Sequence, residues 1–202
     1  MSMINVKFDG VRAKQKLATR SMIIATAKHL FVERGYDATT TRLIADRSGV
    51  AIGTVFAHFP DKDHLLRDIL SASIEQILQE VRPTLLATDG AVETLLAYAS
   101  KLIPFYLESP DLSRTLLRSV MFDQDGYANQ LEFFVAEIAE RLKSDAPSLE
   151  ESDQNDMATV LVANYLFSVI GALGNDKESA ETTLARLKIR CRLAIQGFGN
   201  GQ

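Results

Sequence analysis

Apolar side chains recur at intervals of three and four residues along nearly the whole chain, which is the period of an amphipathic α-helix. In the first such segment, which starts at Thr19, the repeat places Ile23, Ala27, Leu30 and Phe31 on one face. Stretches that alternate between apolar and polar residues are too short to require a β-sheet. The pattern therefore predicts an all-α chain of about nine helices.

Glycine, proline and capping residues set the ends of these helices. Gly35 and Gly49 supply C-terminal stops, and Thr39 or Thr40 can cap the second helix through its hydroxyl. Pro60 ends the third helix, because the residue before a proline avoids the helical region. The helices are predicted over about residues 19–34, 40–48, 52–58, 61–82, 91–108, 111–122, 127–143, 157–175 and 176–196.

The eighth of these segments, MATVLVANYLFSVIGALGN, carries no charge over residues 157–175. That length just suffices to cross a bilayer. Thr159, Asn164, Tyr165 and Ser168 interrupt it with polar groups, and no other segment of the chain resembles it. We favour a helix that is buried all round, by its own chain or by a second copy, over a membrane span.

Charge divides the chain into two parts. Residues 1–68 contain 11 Lys and Arg against 7 Asp and Glu, and residues 69–202 contain 11 against 19, so a net charge of +4 is followed by −8. Residues 1–16 form a basic arm whose only acid is Asp9. Such an arm is an ordinary solvated tail unless an element that binds polyanions follows it. The single cysteine, Cys191, excludes an internal disulfide framework and fits a reducing compartment.

The segment IADRSGVAIGTVFAHF has the spacing of two short helices that cross near a right angle. Ala45 provides the small residue at the crossing, and Gly49 provides a turn residue that tolerates positive φ. Ile44 and Val55 can hold the second helix against the first. The spacing predicts a helix-turn-helix at about residues 40–59, whose second helix enters the major groove of DNA.

A longer pattern is more specific than this spacing. It reads G-Y-x-x-T-T from Gly35, I-A-x-x-S-G-V-x-x-G-T-x-F-x-H-F from Ile44, and K-x-x-L from Lys62. Over about residues 17–77 it closely resembles the tetracycline-repressor (TetR) family. The resemblance implies a three-helix DNA-binding head over those residues, and a helical body over residues 78–202 that dimerises and binds a small effector. It also implies a repressor that the effector releases from DNA.

The resemblance further implies which residues contact DNA. Arg42 can reach a phosphate or a guanine edge, and the hydroxyl of Thr54 can reach a phosphate or a base. Lys62 would bind a phosphate, and His58 is open to two interpretations, a phosphate contact or a cap at the helix end. The positions carried over from the family are Thr41, Arg42, Ile52, Gly53, Thr54, Phe56, Ala57, His58 and Lys62.

Three residues depart from the usual choices of the family. Phe56 stands where many members carry a tyrosine, so the hydroxyl that would bind a phosphate is missing. Ala51 stands where serine is common, which removes a side-chain N-cap worth about 1 kcal/mol. Ile52 is apolar at a position that usually faces the groove, which favours contact with a thymine methyl group. These departures concern the operator sequence, not the ability to bind DNA.

Specific readout needs two heads, spaced about 34 Å apart on a pseudo-palindromic operator. Helix eight has more apolar surface than one neighbour can cover, and helix nine has an apolar stripe with alternating spacings of three and four. We expect the two helices to form a four-helix interface in a homodimer. The alternative is that helix eight is simply the core of a monomer. The predicted interface residues are Leu161, Tyr165, Leu184, Leu187, Cys191, Ala194 and Phe198.

Aromatic and apolar residues at helical spacing gather in the predicted body, where core packing is the alternative explanation for each of them. Buried tyrosines bring hydroxyl groups that need partners, and Pro104 should bend helix five and free a carbonyl group. We therefore expect an unidentified small effector that is mainly apolar and partly aromatic. Helix four links head and body, so effector and DNA would weaken each other's binding. The expected effector contacts are Tyr98, Leu102, Phe105, Tyr106, Leu117, Met121, Phe122, Phe134 and Tyr165.

Enzymes and metalloproteins are the rival class for an all-α chain of this size. His29, His58 and His64 lack the spacing of metal ligands, Cys191 is far from them in sequence, and no Gly-rich phosphate loop occurs. We expect no catalysis, cofactor, metal or membrane partner, and a place in the bacterial cytoplasm, on the nucleoid when bound to DNA. Two alternatives stay open within the same fold, an activator and a DNA-binding protein without an effector.

Overall fold

The computed structural model describes residues 3–86, 89–122, 128–145 and 150–199, with side chains described for residues 11–86, 89–118, 131–143 and 150–197. The described residues form nine α-helices and one turn of 3-10 helix, and this confirms the predicted all-α fold. In chain order the helices are α1 (Met3–Arg34), α2 (Thr41–Ser48), α3 (Ile52–His58), α4 (Lys62–Val81), α5 (Ala91–Glu108), α6 (Pro110–Phe122), α7 (Ala128–Asp145), α8 (Glu151–Leu173) and α9 (Ala180–Gly199), and the 3-10 turn is Arg82–Thr84.

The chain divides into two compact units, Met1–Ala72 and Ser73–Gln202. α4 begins in the first unit and ends in the second. The division that the sequence predicts, at residue 77, falls inside this helix.

The first unit, the head, packs α1, α2, α3 and the start of α4 around an apolar core. The four apolar residues predicted to share one face of α1 are each at most 2% exposed. Thr39 is fully buried, and its hydroxyl lies within hydrogen-bond distance of the carbonyl oxygens of Leu30 (3.1 Å) and Gly35 (2.8 Å). These bonds fix the connection between α1 and α2.

The predicted start of the first helix is wrong. α1 begins at Met3 instead of near Thr19, so the basic arm is helical and continuous with the first helix of the head. The arm contains Lys, Arg, Gln and Ala, which favour helices, and it contains no proline to interrupt one.

Two further helix ends differ from the prediction. α8 begins at Glu151, ahead of the uncharged stretch, and the acids Glu151 and Asp153 in its first turn suit the positive end of the helix dipole. α9 begins at Ala180, because the hydroxyl of Ser179 caps it by accepting a hydrogen bond from the backbone N–H of Thr182 at 3.1 Å. The predicted turn at residues 123–126 lies outside the described residues.

The second unit, the body, is organised around α5, which packs against α7, α8 and α9. α5 has the predicted bounds, and it continues through Pro104, whose side chain is exposed. Leu95, Tyr98 and Ala99 on its inner face are fully buried. α8 also packs against α7 and α9, so these four helices enclose the core of the body.

α8 is exposed on one face and is not buried all round. Val160, Phe167 and Ile170 are 44%, 63% and 42% exposed, while ten other residues of the helix are buried. Within the described part of the chain, α8 alone is long and apolar enough to cross a membrane by length and composition, and half of its most apolar window is buried. Because three neighbouring helices cover its other side, α8 is a core helix of the body with one uncovered face.

Candidate nucleic-acid interface

α2 and α3 are short helices whose ends are held by the residues expected from the sequence. Thr40 caps α2, since its side-chain oxygen accepts a hydrogen bond from the backbone N–H of Leu43 at 3.1 Å. Gly49 ends α2 with a φ of 67°, in the left-handed region where a side chain would be strained. α3 follows after Ala51, which makes no side-chain cap. The tight turn and the packing of α2 against α3 give the arrangement of a helix-turn-helix.

α3 turns one face to the core of the head and the other to solvent. Val55 within it and Phe59 directly after it are each 1% exposed, and they anchor the helix. On the opposite face Ile52 and Phe56 are 44% and 48% exposed, although burial of such large apolar side chains is favourable. This outer face is therefore suited to contact with a partner. The predicted DNA contacts that are exposed are Arg42, Ile52, Gly53, Phe56 and Ala57, and those that are partly buried are Thr41, Thr54, His58 and Lys62.

α2 carries two cations that are available to phosphates. Arg42 and Arg47 are exposed, and neither has an ion pair within the described residues. Cationic side chains beside a groove-reading helix bind phosphates and so fix the position of the protein on the duplex. Arg47 is not among the predicted DNA contacts. Its positive charge on the second helix is the feature of the sequence that could have indicated it.

Lys62 is held inside the head. Its ammonium group donates a hydrogen bond to the backbone carbonyl oxygen of Tyr36 at 2.8 Å and lies 3.9 Å from the centre of the Tyr36 ring. The hydroxyl of Tyr36 donates to Asp63, and burial together with this bond raises the pKa of Tyr36 well above its ordinary value. Lys62 thus joins the start of α4 to the connection between α1 and α2, and a phosphate would have to share its ammonium group with Tyr36.

The predicted effector contacts include an aromatic cluster in the body. The ring of Phe134 makes edge contacts with the rings of Tyr98 and Tyr165, at 5.5 and 6.1 Å between centres. No group of three or more His, Cys, Asp or Glu side chains in the described ranges is arranged to hold a metal ion. Of the predicted set, Tyr98, Leu102, Tyr106 and Tyr165 are buried, Phe105, Leu117 and Phe134 are partly buried, and the side chains of Met121 and Phe122 lie outside the described ones.

The hydroxyl groups of this aromatic cluster have different surroundings. Tyr98 donates a hydrogen bond to Glu137 at 2.6 Å, and Glu137 also pairs with Arg82 at 3.4 Å. Burial, and then the bond to Glu137, raises the pKa of Tyr98 to about 12. The hydroxyl of Tyr165 is buried next to that of Tyr106, and burial, followed by the interaction with Tyr106, raises the pKa of Tyr165 well above the ordinary value.

The apolar stripe predicted for a dimer interface faces the core of the chain itself. Leu161, Leu187 and Cys191 are fully buried, Tyr165 is 4% exposed, and burial raises the pKa of the Cys191 thiol to about 11. Side chains that are buried within one copy cannot contact a second copy, so this part of the prediction is corrected. The remaining members of the stripe are Leu184 and Ala194, which are partly buried, and Phe198, whose side chain lies outside the described ones.

The other face of α8 and α9 carries exposed apolar residues that the sequence did not single out. Val160, Phe167 and Ile170 on α8 and Ile189 and Leu193 on α9 are between 42% and 63% exposed. Since α8 is apolar on every side, its sequence does not distinguish the face that meets the core from the face that is uncovered. These five residues define what we call the α8–α9 face.

A cleft of about 130 Å³ opens on the α8–α9 face, beside Phe167, Arg186 and Arg190. The guanidinium group of Arg190 lies 5.1 Å from the centre of the Phe167 ring and donates a hydrogen bond to Ser168 at 2.9 Å. Arg186 bonds both carboxylate oxygens of Glu178 at 3.1 Å. The two cations are therefore partnered within the chain.

The helix-turn-helix region matches a known family. The family described as "Bacterial regulatory proteins, tetR family" matches residues 23–69. The HTH-type transcriptional repressor KstR of Mycolicibacterium smegmatis is 27% identical over 179 residues, which cover 87% of this chain and 86% of that protein. KstR of Rhodococcus jostii is 24% identical over 188 residues, which cover 93% and 87%. The structure of the tetR-family repressor FadR of Thermus thermophilus in complex with lauroyl-CoA superposes with a TM-score of 0.71 at 24% identity, covering 88% of this chain and 94% of that one.

Proposed function

Because the chain belongs to the tetR family of bacterial regulatory proteins, we propose that it is a dimeric repressor, released from a pseudo-palindromic operator by a small and mainly apolar ligand. The observation that carries the proposal is α3, a seven-residue helix anchored by Val55 and Phe59 with Ile52 and Phe56 facing solvent. A helix so short is not stable alone, so it depends on the packing of Val55 and Phe59 against the head. Its outer face is not needed for that packing and can contact the groove of DNA. The regulator acts in the cytoplasm and is associated with the nucleoid when bound.

Operator selection tests this proposal. Fragments of random or genomic DNA that the full-length chain retains should share a pseudo-palindrome with half-site centres one helical turn apart. Thymines in the major groove should be enriched opposite Ile52 and Phe56, since apolar side chains contact the thymine methyl group. Retention of DNA without any common sequence would contradict a sequence-specific regulator.

The two copies of the proposed dimer meet through the α8–α9 face. Five large apolar side chains are exposed on the two adjacent helices, and clusters of exposed apolar surface on proteins mark interaction sites. A two-fold axis across this face would pair α8 and α9 with their symmetry mates in a four-helix interface. The interface residues predicted from the sequence lie on the opposite side of the same two helices.

The proposed effector is a ligand with a long apolar part and a polar group. Support comes from the partly buried Phe105 and Phe134 beside buried tyrosines, whose hydroxyl groups can hydrogen-bond to a polar group of a ligand. The structural neighbour FadR was solved with lauroyl-CoA, an acyl chain on a polar carrier. A ligand of this class would bury its chain against the aromatic rings and offer an acceptor to a tyrosine hydroxyl.

Ligand screening distinguishes this class from others. Acyl thioesters, fatty acids and aromatic amphiphiles should raise the melting temperature and lower the affinity for the selected operator, because binding to the native state stabilises it and effector and DNA are linked. A Tyr165→Phe variant should lose part of the shift for ligands with an acceptor group. Shifts by sugars or nucleotides alone would overturn the assignment of ligand class while leaving the DNA-binding function intact.

A further inference from the structure

The basic residues of α1 are concentrated on a helix that lacks compensating acids. Between Asp9 and Glu33 the helix carries no acidic residue. All side chains from residue 11 to residue 18 are exposed. The lysines and arginines between Asp9 and Glu33 are Arg12, Lys14, Lys16, Arg20 and Lys28.

One of these cations lies beside the end of α3. The guanidinium group of Arg20 lies 4.8 Å from the centre of the Phe59 ring and pairs with Asp68 on α4. Phe59 is the residue that directly follows α3. The face of α1 that contains Arg20 therefore meets the head at the C-terminal end of α3.

Two more cations continue this face along the helix. Arg12, Lys16 and Arg20 are spaced four residues apart, so they lie on one side of α1, and the stripe spans about 12 Å at 1.5 Å per residue. Arg12 and Lys16 are exposed and have no ion pair within the described residues. Lys14 lies about 200° around the helix from Arg12, on the other side.

We propose that Arg12 and Lys16 bind backbone phosphates of duplex DNA beyond the stretch of major groove that α3 reads, so that the arm extends the interface. The inference rests on the proposed function of the head. Duplex DNA is the occupant that this stripe fits, because Arg12 and Lys16 are exposed cations without an ion pair in the described residues and lie in line with Arg20, which is beside the end of α3. The arm would add affinity without reading sequence, as contacts to phosphates do.

The experiment compares binding of the selected operator at several salt concentrations for the full-length chain and for Arg12→Gln/Lys16→Gln. Each lost phosphate contact lowers the slope of log affinity against log salt by about 0.9, so two contacts in each of two heads should lower it by about 3 to 4. Preference among operator sequences should stay unchanged. Lys101→Gln/Lys177→Gln, in the body, makes the same change in net charge and should leave the slope unchanged.

Lys14→Gln tests the direction of the stripe, and it should change the slope by less than one unit. A loss of about 1.8 for Lys14→Gln, which is the full effect of one phosphate contact in each of two heads, would overturn the proposal while the wild-type chain still bound its operator. An unchanged slope for the Arg12→Gln/Lys16→Gln double variant would overturn it as well. If the wild-type chain bound no selected DNA at all, the proposed function would be rejected, and the proposed phosphate contacts of the arm would be rejected with it.

Discussion

Arg42 and Lys62 are both cations of the head, but their side chains have different surroundings. Arg42 is exposed without an ion pair in the described part of the chain, whereas the ammonium group of Lys62 is occupied by the carbonyl and the ring of Tyr36. A residue that is free in the unbound protein can bind a phosphate without first breaking an internal contact. Resemblance to a family cannot reveal this difference, because it carries over a residue type and not the partners of the side chain.

Alanine variants separate the two roles. Arg42→Ala should lower the salt slope of operator binding by about 2, for one contact in each of two heads, with little change in stability. Lys62→Ala should lower the free energy of unfolding by about 1–2 kcal/mol, because it removes a charged hydrogen bond and a cation–π contact. Denaturant titration and binding at several salt concentrations measure both, with the exposed Lys28→Ala as control. A loss of slope for Lys62→Ala as large as that for Arg42→Ala would support the prediction that Lys62 binds a phosphate.

The Tyr98 phenol makes stability depend on pH in the alkaline range. Its pKa rises from about 10 in the unfolded chain to about 12 in the folded one, so the fold favours the neutral form. The stability that this provides is complete below pH 10 and is lost as pH rises from 10 to 12. The melting temperature of the wild-type chain should therefore fall more steeply across that range than that of Tyr98→Phe. Equal falls for both would show that the phenol titrates alike in the folded and unfolded chains.

At the scale of the element, α3 is held by its neighbours more than by its own ends. Ala51 provides no side-chain cap, and the helix has only seven residues. Ala51→Ser should supply the missing acceptor for a backbone N–H and raise the free energy of unfolding by about 0.5–1 kcal/mol. Ala57→Ser places the same side chain at an exposed position inside the helix and should not stabilise it. An equal gain for both variants, measured by denaturant titration, would rule out capping as the cause.

The helices were predictable where local chemistry marks their ends. Gly90 before α5 and Ser109 after it bracket a run of helical period, and the predicted bounds of α5 agree with the structure. The start of α8 could not be predicted from its uncharged stretch, because an uncharged stretch indicates which residues are buried but does not indicate where the helix begins. The extension of α1 to Met3 was missed for a related reason, since residues 11–18 of this extension are exposed and show no apolar period.

The exposed face of α3 could be predicted from the sequence in more detail than the aromatic cluster of the body. The exposed face of α3 follows from the positions of Val55 and Phe59, which fix the buried side, so the sequence alone identifies the outward residues. The hydrogen bond between Tyr98 and Glu137 joins two helices that are far apart in sequence, so no local sequence pattern predicts it. A three-four stripe identifies residues that share a face, but not whether that face meets its own chain or a partner.

At the scale of the whole molecule, the proposed binding of two heads to a pseudo-palindrome depends on the α8–α9 face, where we propose that two copies meet. Phe167 and Ile189 are 63% and 59% exposed, and an aromatic ring brings about 150–250 Å² of surface to an interface. A carboxylate at either position would have to be buried without a partner if two copies met there. The same charge on a single copy would stay in water and cost little.

The variant Phe167→Glu/Ile189→Glu should therefore be a monomer in sedimentation while it keeps the helical circular dichroism of the wild-type chain. It should lose at least about tenfold in affinity for the two-half-site operator, because the second head no longer binds at high effective concentration, and lose little for a single half-site. Leu86→Glu, at an exposed apolar position outside α8 and α9, should remain a dimer. Leu161→Glu should instead unfold the body, since it buries a charge in the core of one copy. If the Phe167→Glu/Ile189→Glu variant remained a dimer like the wild-type chain, the two copies would have to meet at another surface.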